Sequence, residues 1–186
     1  LPYNLVFAAT AEEEISGKNG MEYLFPKLPA INFAIVGEPT LMQIAVAERG
    51  LLVLDATALG KSGHAARKEG VNALYKAIED IQWFRNFKFV KDSAELGPVS
   101  MTVTMIESGT QHNVVPDQCK FVVDIRVNDQ YSNKEILEIV KQNVQSEVAA
   151  RSTRLNSSGV SGEHPIRKVA TALNIPTYGS PTTSDQ

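Results

Sequence analysis

Three consecutive carboxylates, Glu12, Glu13 and Glu14, follow closely on the apolar run Leu5-Val6-Phe7-Ala8-Ala9. Adjacent like charges repel, so a triplet of this kind gains only where a cation sits among its side chains, and a divalent metal ion would supply one. With such an ion present, one carboxylate can ligate while its neighbour takes a proton from metal-activated water, the division of labour in metal-assisted amide hydrolysis. An exposed acidic turn is the alternative, and the triplet alone leaves it open. Glu38 shifts the balance. It lies 24 positions beyond Glu14, at the end of the next apolar run, between Gly37 and Pro39, two residues that govern the local backbone. Two carboxylates at neighbouring strand ends can meet at one ion.

Other polar residues have plain structural readings. His64, in Gly63-His64-Ala65, sits after a strand and before a helix, where an exposed loop residue is expected. Asn113, just before Val114-Val115-Pro116, could cap a turn, and Arg126 reads as a solvated charge paired with Asp124. His112 reads as a surface residue and His164, before Pro165, as a helix-start residue. The single cysteine, Cys119, cannot form an internal disulfide and reads as a small strand residue, which fits a reducing, cytoplasmic compartment.

The elements that position these residues follow from hydrophobic periodicity. Leu5 to Ala9 and Phe33 to Val36 are short apolar runs bounded by polar residues, as expected of strands buried on both faces. Between them a short helix is expected around Gly20 to Leu28, stopped by Pro26 and Pro29. Strand, acidic loop, helix, strand, acidic loop is an α/β pattern with polar side chains at strand ends, where open α/β sheets carry their sites. From about Gln43 the texture changes. Ile44 to Ala58, Val99 to Ile106, Cys119 to Val127 and Ser152 to Asn156 read as strands, the first of them long. Helices are expected near Asn72 to Phe87, with Leu74, Ile78 and Ile81 on one face, and near Lys134 to Val148, with Ile136, Val140 and Val144 on one face. The order β-α-β-β-α-β, with helices on a single sheet face, predicts a two-layer ferredoxin-like α/β sandwich. After Asn156 a Ser/Gly-rich stretch through Gly162 reads as a linker, and His164 to Asn174 returns to a helical pattern.

Composition excludes several classes. With 18 Lys plus Arg against 21 Asp plus Glu, the net charge of -3 gives no basic footprint for nucleic acid. No apolar run reaches the length of about 18 residues that a membrane span needs. The first residues lack the basic flank of a signal peptide, and both ends read as cut.

Taken in order, Ala11-Glu12-Glu13-Glu14 and Gly37-Glu38-Pro39-Thr40 resemble the paired signatures of the dinuclear zinc amide hydrolases. That family includes acetylornithine deacetylase, succinyl-diaminopimelate desuccinylase, aminoacylase and the glutamate-releasing carboxypeptidases. The resemblance continues through Gly60-Lys61-Ser62-Gly63-His64-Ala65, Gly70-Val71-Asn72-Ala73, Gly109 to Asp117, Asp124-Ile125-Arg126 and, more faintly, Thr183-Ser184-Asp185. Each motif is weak by itself; their ordered spacing over most of the chain is what is specific.

The resemblance implies roles. Glu13 matches the general base, Glu14 the adjacent zinc ligand and Glu38 a ligand of the second zinc, with cobalt able to substitute. Glu12 receives no role. His64 matches a residue that the partner subunit's lid contributes to steady the oxyanion, while Asn113 matches a substrate or oxyanion contact and Arg126 a clamp for a substrate carboxylate. The implied organisation is a ferredoxin-like lid and dimerisation domain over residues 43–157, flanked by parts of an α/β catalytic domain at 1–42 and 158–186. The implied assembly is a homodimer, and the implied activity is hydrolysis of an N-acyl amino acid, nearest to acetylornithine deacetylase in arginine biosynthesis. The family pattern also has a His-x-Asp segment and a bridging Asp before the glutamates and a further His ligand near the carboxyl end; none occurs here. A catalytic zinc usually takes about three protein ligands, so the chain by itself is expected to be inert. The rival expectation is a non-catalytic module for homodimerisation or small-ligand binding.

Overall fold

Where every second side chain is apolar, a strand buries one face and wets the other, and two such strands lock each other's register. The computed structural model describes residues 4–12 and 17–184. In chain order its elements are helix α1 (Met21–Leu24), strands β1 (Ile44–Glu48), β2 (Gly50–Leu59) and β3 (Gly63–His64), helix α2 (Ala73–Asn86), strands β4 (Ser100–Ser108), β5 (Val114–Val115) and β6 (Gln118–Val127), helix α3 (Asn133–Asn143), strands β7 (Glu147–Ala150) and β8 (Ser158–Gly159), helix α4 (Pro165–Ala172) and strand β9 (Thr177–Ser180). The described residues fall into two units, one running to Met42 together with Ser184, the other Gln43–Thr183.

The centre of the second unit is an antiparallel sheet in the order β4-β6-β2-β7. Leu52, Leu54, Ala56 and Ala58 of β2 face Ile125, Val123, Phe121 and Cys119 of β6, and all eight are buried. The pairing is complementary in volume, the large Phe121 standing opposite Ala56. Helices α2 and α3 cover this face, contributing Ala73, Ala77, Phe84, Ile136 and Val140 to the same core. The sandwich expected from the element order is the one formed, because the inner positions of both long strands are uninterrupted.

The packing face of α2 is rotated from the expected one. Ala73, Ala77, Asp80 and Phe84 are buried, whereas Leu74 and Ile81 flank the core and Ile78 is 40% exposed. Alanines at the contact let the helix approach the sheet closely, so the larger apolar residues fall to its sides. Asp80 is buried but satisfied: its carboxylate accepts from the backbone N–H groups of Gln145 (3.0 Å) and Ser146 (2.8 Å) and from the Ser146 hydroxyl (2.5 Å). It thereby ties α2 to the turn after α3. That turn ends α3 at Asn143, short of the expected Val148, and the last strand of this sheet is Glu147–Ala150 rather than Ser152–Asn156. Helix starts follow their sequence signals. Asn72 caps α2, Ser132 and Glu135 form a capping box on α3, and His164 Nδ1 accepts from Ile166 N at the start of α4, where Pro165 takes the first position.

The run expected as one long strand, 44–58, breaks at Arg49. Its side chain bonds Ser100 Oγ (3.2 Å) and the Leu96 carbonyl, while its own carbonyl accepts from Thr183 Oγ1 (2.5 Å). At Gly50 the chain passes so close to Asn156–Ser157 that a Cβ would lie 2.6 Å from Ser157 N. Strand β1 therefore belongs to a second sheet, β8-β1-β9, antiparallel to β8 and parallel to β9. The stretch expected as a linker supplies β8.

In the first unit, Leu5 to Ala9 and Phe33 to Val36 are not strands, and Phe7 (91%) and Ile35 (76%) are exposed. A strand apolar on both faces is stable only with neighbours on its edges and layers above and below. Among the described residues no strand pairs with either run.

Leu52→Ala, emptying a fully buried position opposite Ile125, is expected to lower unfolding free energy by about 2–5 kcal/mol. Val90→Ala at an exposed position is expected to change it by less than ~0.5 kcal/mol. Urea denaturation followed by tryptophan fluorescence checks both.

Candidate functional site

Beyond Leu59 and Gln118, where the β2–β6 ladder ends, its partners continue to pair. Gly60 N donates to Asp117 O (2.8 Å), and β3 then pairs with β5 in the register Gly63↔Val115 and His64↔Val114. Ala65 N donates to Asn113 O (2.9 Å), Lys61 and Val71 exchange two backbone bonds (2.8 and 2.9 Å), and Ala73 N donates to Pro116 O (2.9 Å). The ribbon therefore brings His64 and Asn113, 49 positions apart, to one end of the sheet. Gly60 is required there, since a Cβ would lie 2.1 Å from Val71 O.

At His64 the chain turns. Arg67 N donates to His64 O (2.8 Å), closing a four-residue β-turn, and Ala66 N donates to His64 Nδ1 (3.2 Å). An accepting Nδ1 assigns the proton of the neutral imidazole to Nε2, which makes that nitrogen a hydrogen-bond donor. The ring is exposed.

Arg126 is elsewhere. It lies eight residues along β6 from Gln118, about 26 Å at ~3.3 Å per residue, so it stands at the opposite end of the sheet from the ribbon. Its Nε and Nη2 donate to Asp124 Oδ1 (2.8 Å) and Oδ2 (3.0 Å), and both side chains are about 30% exposed on the face opposite the helices. The paired charge expected from the sequence is present as a two-pronged bond. Nearby on that face Asp55 is held below the usual carboxylate range, chiefly by its hydrogen bonds from Arg151.

Of the expected metal ligands, Glu38 is exposed in a turn closed by Thr40 N donating to Glu38 O (2.9 Å). Glu13 and Glu14 lie outside the described residues. Glu12, at φ 62°, accepts from Asn19 N (3.0 Å) and Asn19 Nδ2 (2.9 Å), the side-chain bond being the larger cause of its lowered pKa. As a donor set for zinc, Glu14 and Glu38 offer two carboxylates where about three ligands per catalytic ion are usual. Among the described residues no group of three or more His, Cys, Asp or Glu side chains could hold a metal ion. The described residues do not complete a zinc site. No described helix is long and apolar enough to cross a membrane.

Residues 46–152, more than half the chain, match the family model described as the peptidase dimerisation domain. The chain belongs to that family. It is 28% identical over 150 residues to a succinyl-diaminopimelate desuccinylase of Orientia tsutsugamushi, covering 75% of this chain and 39% of the relative. It is 31% identical over 147 residues to the enzyme of that name from Buchnera aphidicola, covering 73% and 39%. The chain thus spans well under half the length of these relatives. A tripeptidase structure from Staphylococcus aureus superposes with a TM-score of 0.71 at 21% identity, over 94% of this chain and 50% of that one; this likeness concerns the fold.

Arg67 also lies beside His64. The signal available was its position three residues after His64, which only the β-turn turns into proximity. Gly60→Ala is expected to displace the ribbon, accelerating amide exchange at Lys61, Val71 and Ala65 well before the β2–β6 amides, and to destabilise by about 1–3 kcal/mol; hydrogen exchange read by NMR checks it.

Proposed function

We propose that this chain is part of a zinc-dependent amide hydrolase acting on N-acyl amino acids, and that residues 43–157 are its lid and dimerisation domain. In this reading residues 1–42 and 158–186 belong to the catalytic domain, with β1 joined to the latter through the second sheet. The observation that carries the proposal is the ribbon, which presents an Nε2 donor at His64 beside Asn113 within a chain of the peptidase dimerisation domain family.

The separation along β6 supports a shared site. One small substrate does not reach both His64 and Arg126 of a single chain across about 26 Å, so in this reading two chains contribute, one giving His64 and Asn113 and the other Arg126. A surface suited to the second copy is present. Strand β4 is an edge of the sheet, with Met105 64% and Ile106 52% exposed, and Tyr75 and Ile78 of α2 add exposed apolar side chains. Edge strands with unpaired backbone groups are natural sites for pairing with another chain.

At the reacting centre Glu13 takes the proton of the attacking water, and His64 Nε2 and the Asn113 amide donate to the oxygen on which negative charge develops. Arg126 orients the substrate through a carboxylate. Bound zinc would polarise the amide carbonyl and acidify water; Glu14 and Glu38 are two of its donors, and the remainder belong to residues outside this chain. The isolated chain is accordingly inert. A cytoplasmic location goes with this reading. The acyl group has two candidates, acetyl, as in the N-acetylornithine of arginine biosynthesis, from the motif resemblance, and succinyl, from the names of the curated relatives.

The full-length protein, loaded with zinc or cobalt, is to be assayed for acetate release from N-acetylornithine and N-acetylcitrulline and for succinate release from N-succinyl amino acids. Glu13→Gln is expected to lower kcat at least ~100-fold with metal content preserved; retained turnover overturns the assignment of the base. A dimer with no turnover on any of these substrates supports the non-catalytic alternative. His64→Ala and Arg126→Ala proteins, each inactive alone, are expected to regain roughly a quarter of wild-type activity when mixed and allowed to exchange subunits, because half the dimers are mixed and carry one intact site. No recovery despite proven exchange refutes the shared site.

A further inference from the structure

Most arginines of the second unit already have oxygen partners. Arg49 bonds Ser100 and the Leu96 carbonyl, Arg126 bonds Asp124, Arg151 bonds Asp55, and Arg167 bonds Glu95 and the Val160 carbonyl. Arg67 and Arg85 are exposed and make no side-chain hydrogen bond or ion pair with any described residue, and of the two only Arg67 stands on the His64 turn, which fixes its backbone. The turn brings its Cα within about 7 Å of that of His64. Around it, Lys61 and Lys68 add positive charge, and Glu69 is the one acidic residue between Gly60 and Asn72.

We propose that Arg67 is a specificity-determining residue that receives a carboxylate carried by the acyl group of the substrate, so that the preferred substrates are amides of dicarboxylic acids, of the succinyl type, rather than acetyl amides. This rests on the amide-hydrolase reading and deepens it. If His64 Nε2 donates to the oxygen of the scissile carbonyl, Arg67 on the same turn is close enough for its long side chain to reach the groups attached to that carbonyl. A dicarboxylic acyl group carries its free carboxylate only a few bonds from the carbonyl carbon, whereas an acetyl group ends in a methyl. The carboxylate of the amino acid lies across the amide nitrogen, on the side left to Arg126 of the other chain. Arg126 also has Nε and Nη2 engaged by Asp124, while all five N–H donors of Arg67 are open to a planar, two-pronged carboxylate bond.

The test uses the full-length zinc-loaded protein and one amino acid presented as its N-succinyl and its N-acetyl derivative. The wild type is expected to favour the succinyl compound. Arg67→Ala is expected to lower the ratio of kcat/KM for succinyl over acetyl by about tenfold or more, mainly through KM, and Arg67→Lys to recover part of it. Arg85→Ala, which removes the same charge from α2, is expected to keep the wild-type ratio. A ratio unmoved by Arg67→Ala, an equal fall in Arg85→Ala, or a wild type that prefers the acetyl compound overturns the assignment. A wild type that hydrolyses neither compound sinks the amide-hydrolase reading and the Arg67 assignment with it.

Discussion

Everything in the second unit hangs on the ten-residue antiparallel ladder between β2 and β6. Its register is held because a slip by one residue would turn Leu52, Leu54, Phe121, Val123 and Ile125 out of the core and drive Asp55, Lys120 and Asp124 into it. Burying an unpaired charge costs several kcal/mol by itself, so no slipped pairing competes. The helices then have one possible bed. The same ladder also fixes the ends: Leu59 meets Gln118, so Gly60 must meet Asp117 and the two-stranded ribbon must start there. His64 and Asn113 are neighbours because hydrophobic alternation some distance away leaves them no choice.

That causal order explains what could be read from residues alone. The β-α-β-β-α-β order and the inner face of β6 were legible, since a period of two over ten residues admits no other buried set. The packing face of α2 was not, because Leu74, Ile78 and Ile81 look like a better apolar stripe than Ala73, Ala77 and Phe84. The choice belongs to close approach, a property of two surfaces together. The break at Arg49 was hidden for a similar reason. Ile44 to Ala58 is apolar enough for one strand, and it divides only because Asn156–Ser157 crosses at Gly50 and three oxygen partners engage Arg49. Leu5 to Ala9 and Phe33 to Val36 carry a true strand composition that their surroundings in this chain do not use.

The candidate site was legible unevenly. His64, Asn113 and Arg126 were recognisable by motif, but a motif carries no distance. Only the direction of β6 reveals that the third cannot join the first two within one chain. The pairing of Arg126 with Asp124 was foreseeable at a spacing of two on one strand face. The openness of Arg67 was not, because a charged residue in a loop looks the same in sequence whether or not it finds a partner.

The contrast between these two arginines bears on how the proposed shared site would be selective. A guanidinium already bridged by a carboxylate contributes little net positive charge, so in the proposed site Arg126 would orient an anionic group by shape and its remaining N–H donors without attracting anions indiscriminately. Arg67 carries an uncompensated charge in a segment with three cationic side chains and one acid, and it stands on the turn that also sets the His64 tautomer. A carboxylate that approached Arg67 would thereby be drawn to the neighbourhood of the Nε2 donor, coupling recognition of the acyl end to alignment of the carbonyl. The proposed coupling would depend on rigidity rather than on the strength of either bond. The turn is closed by its own backbone bond and anchored through Ala65 to Asn113, so the two side chains share one frame, and that frame is an extension of the β2–β6 ladder.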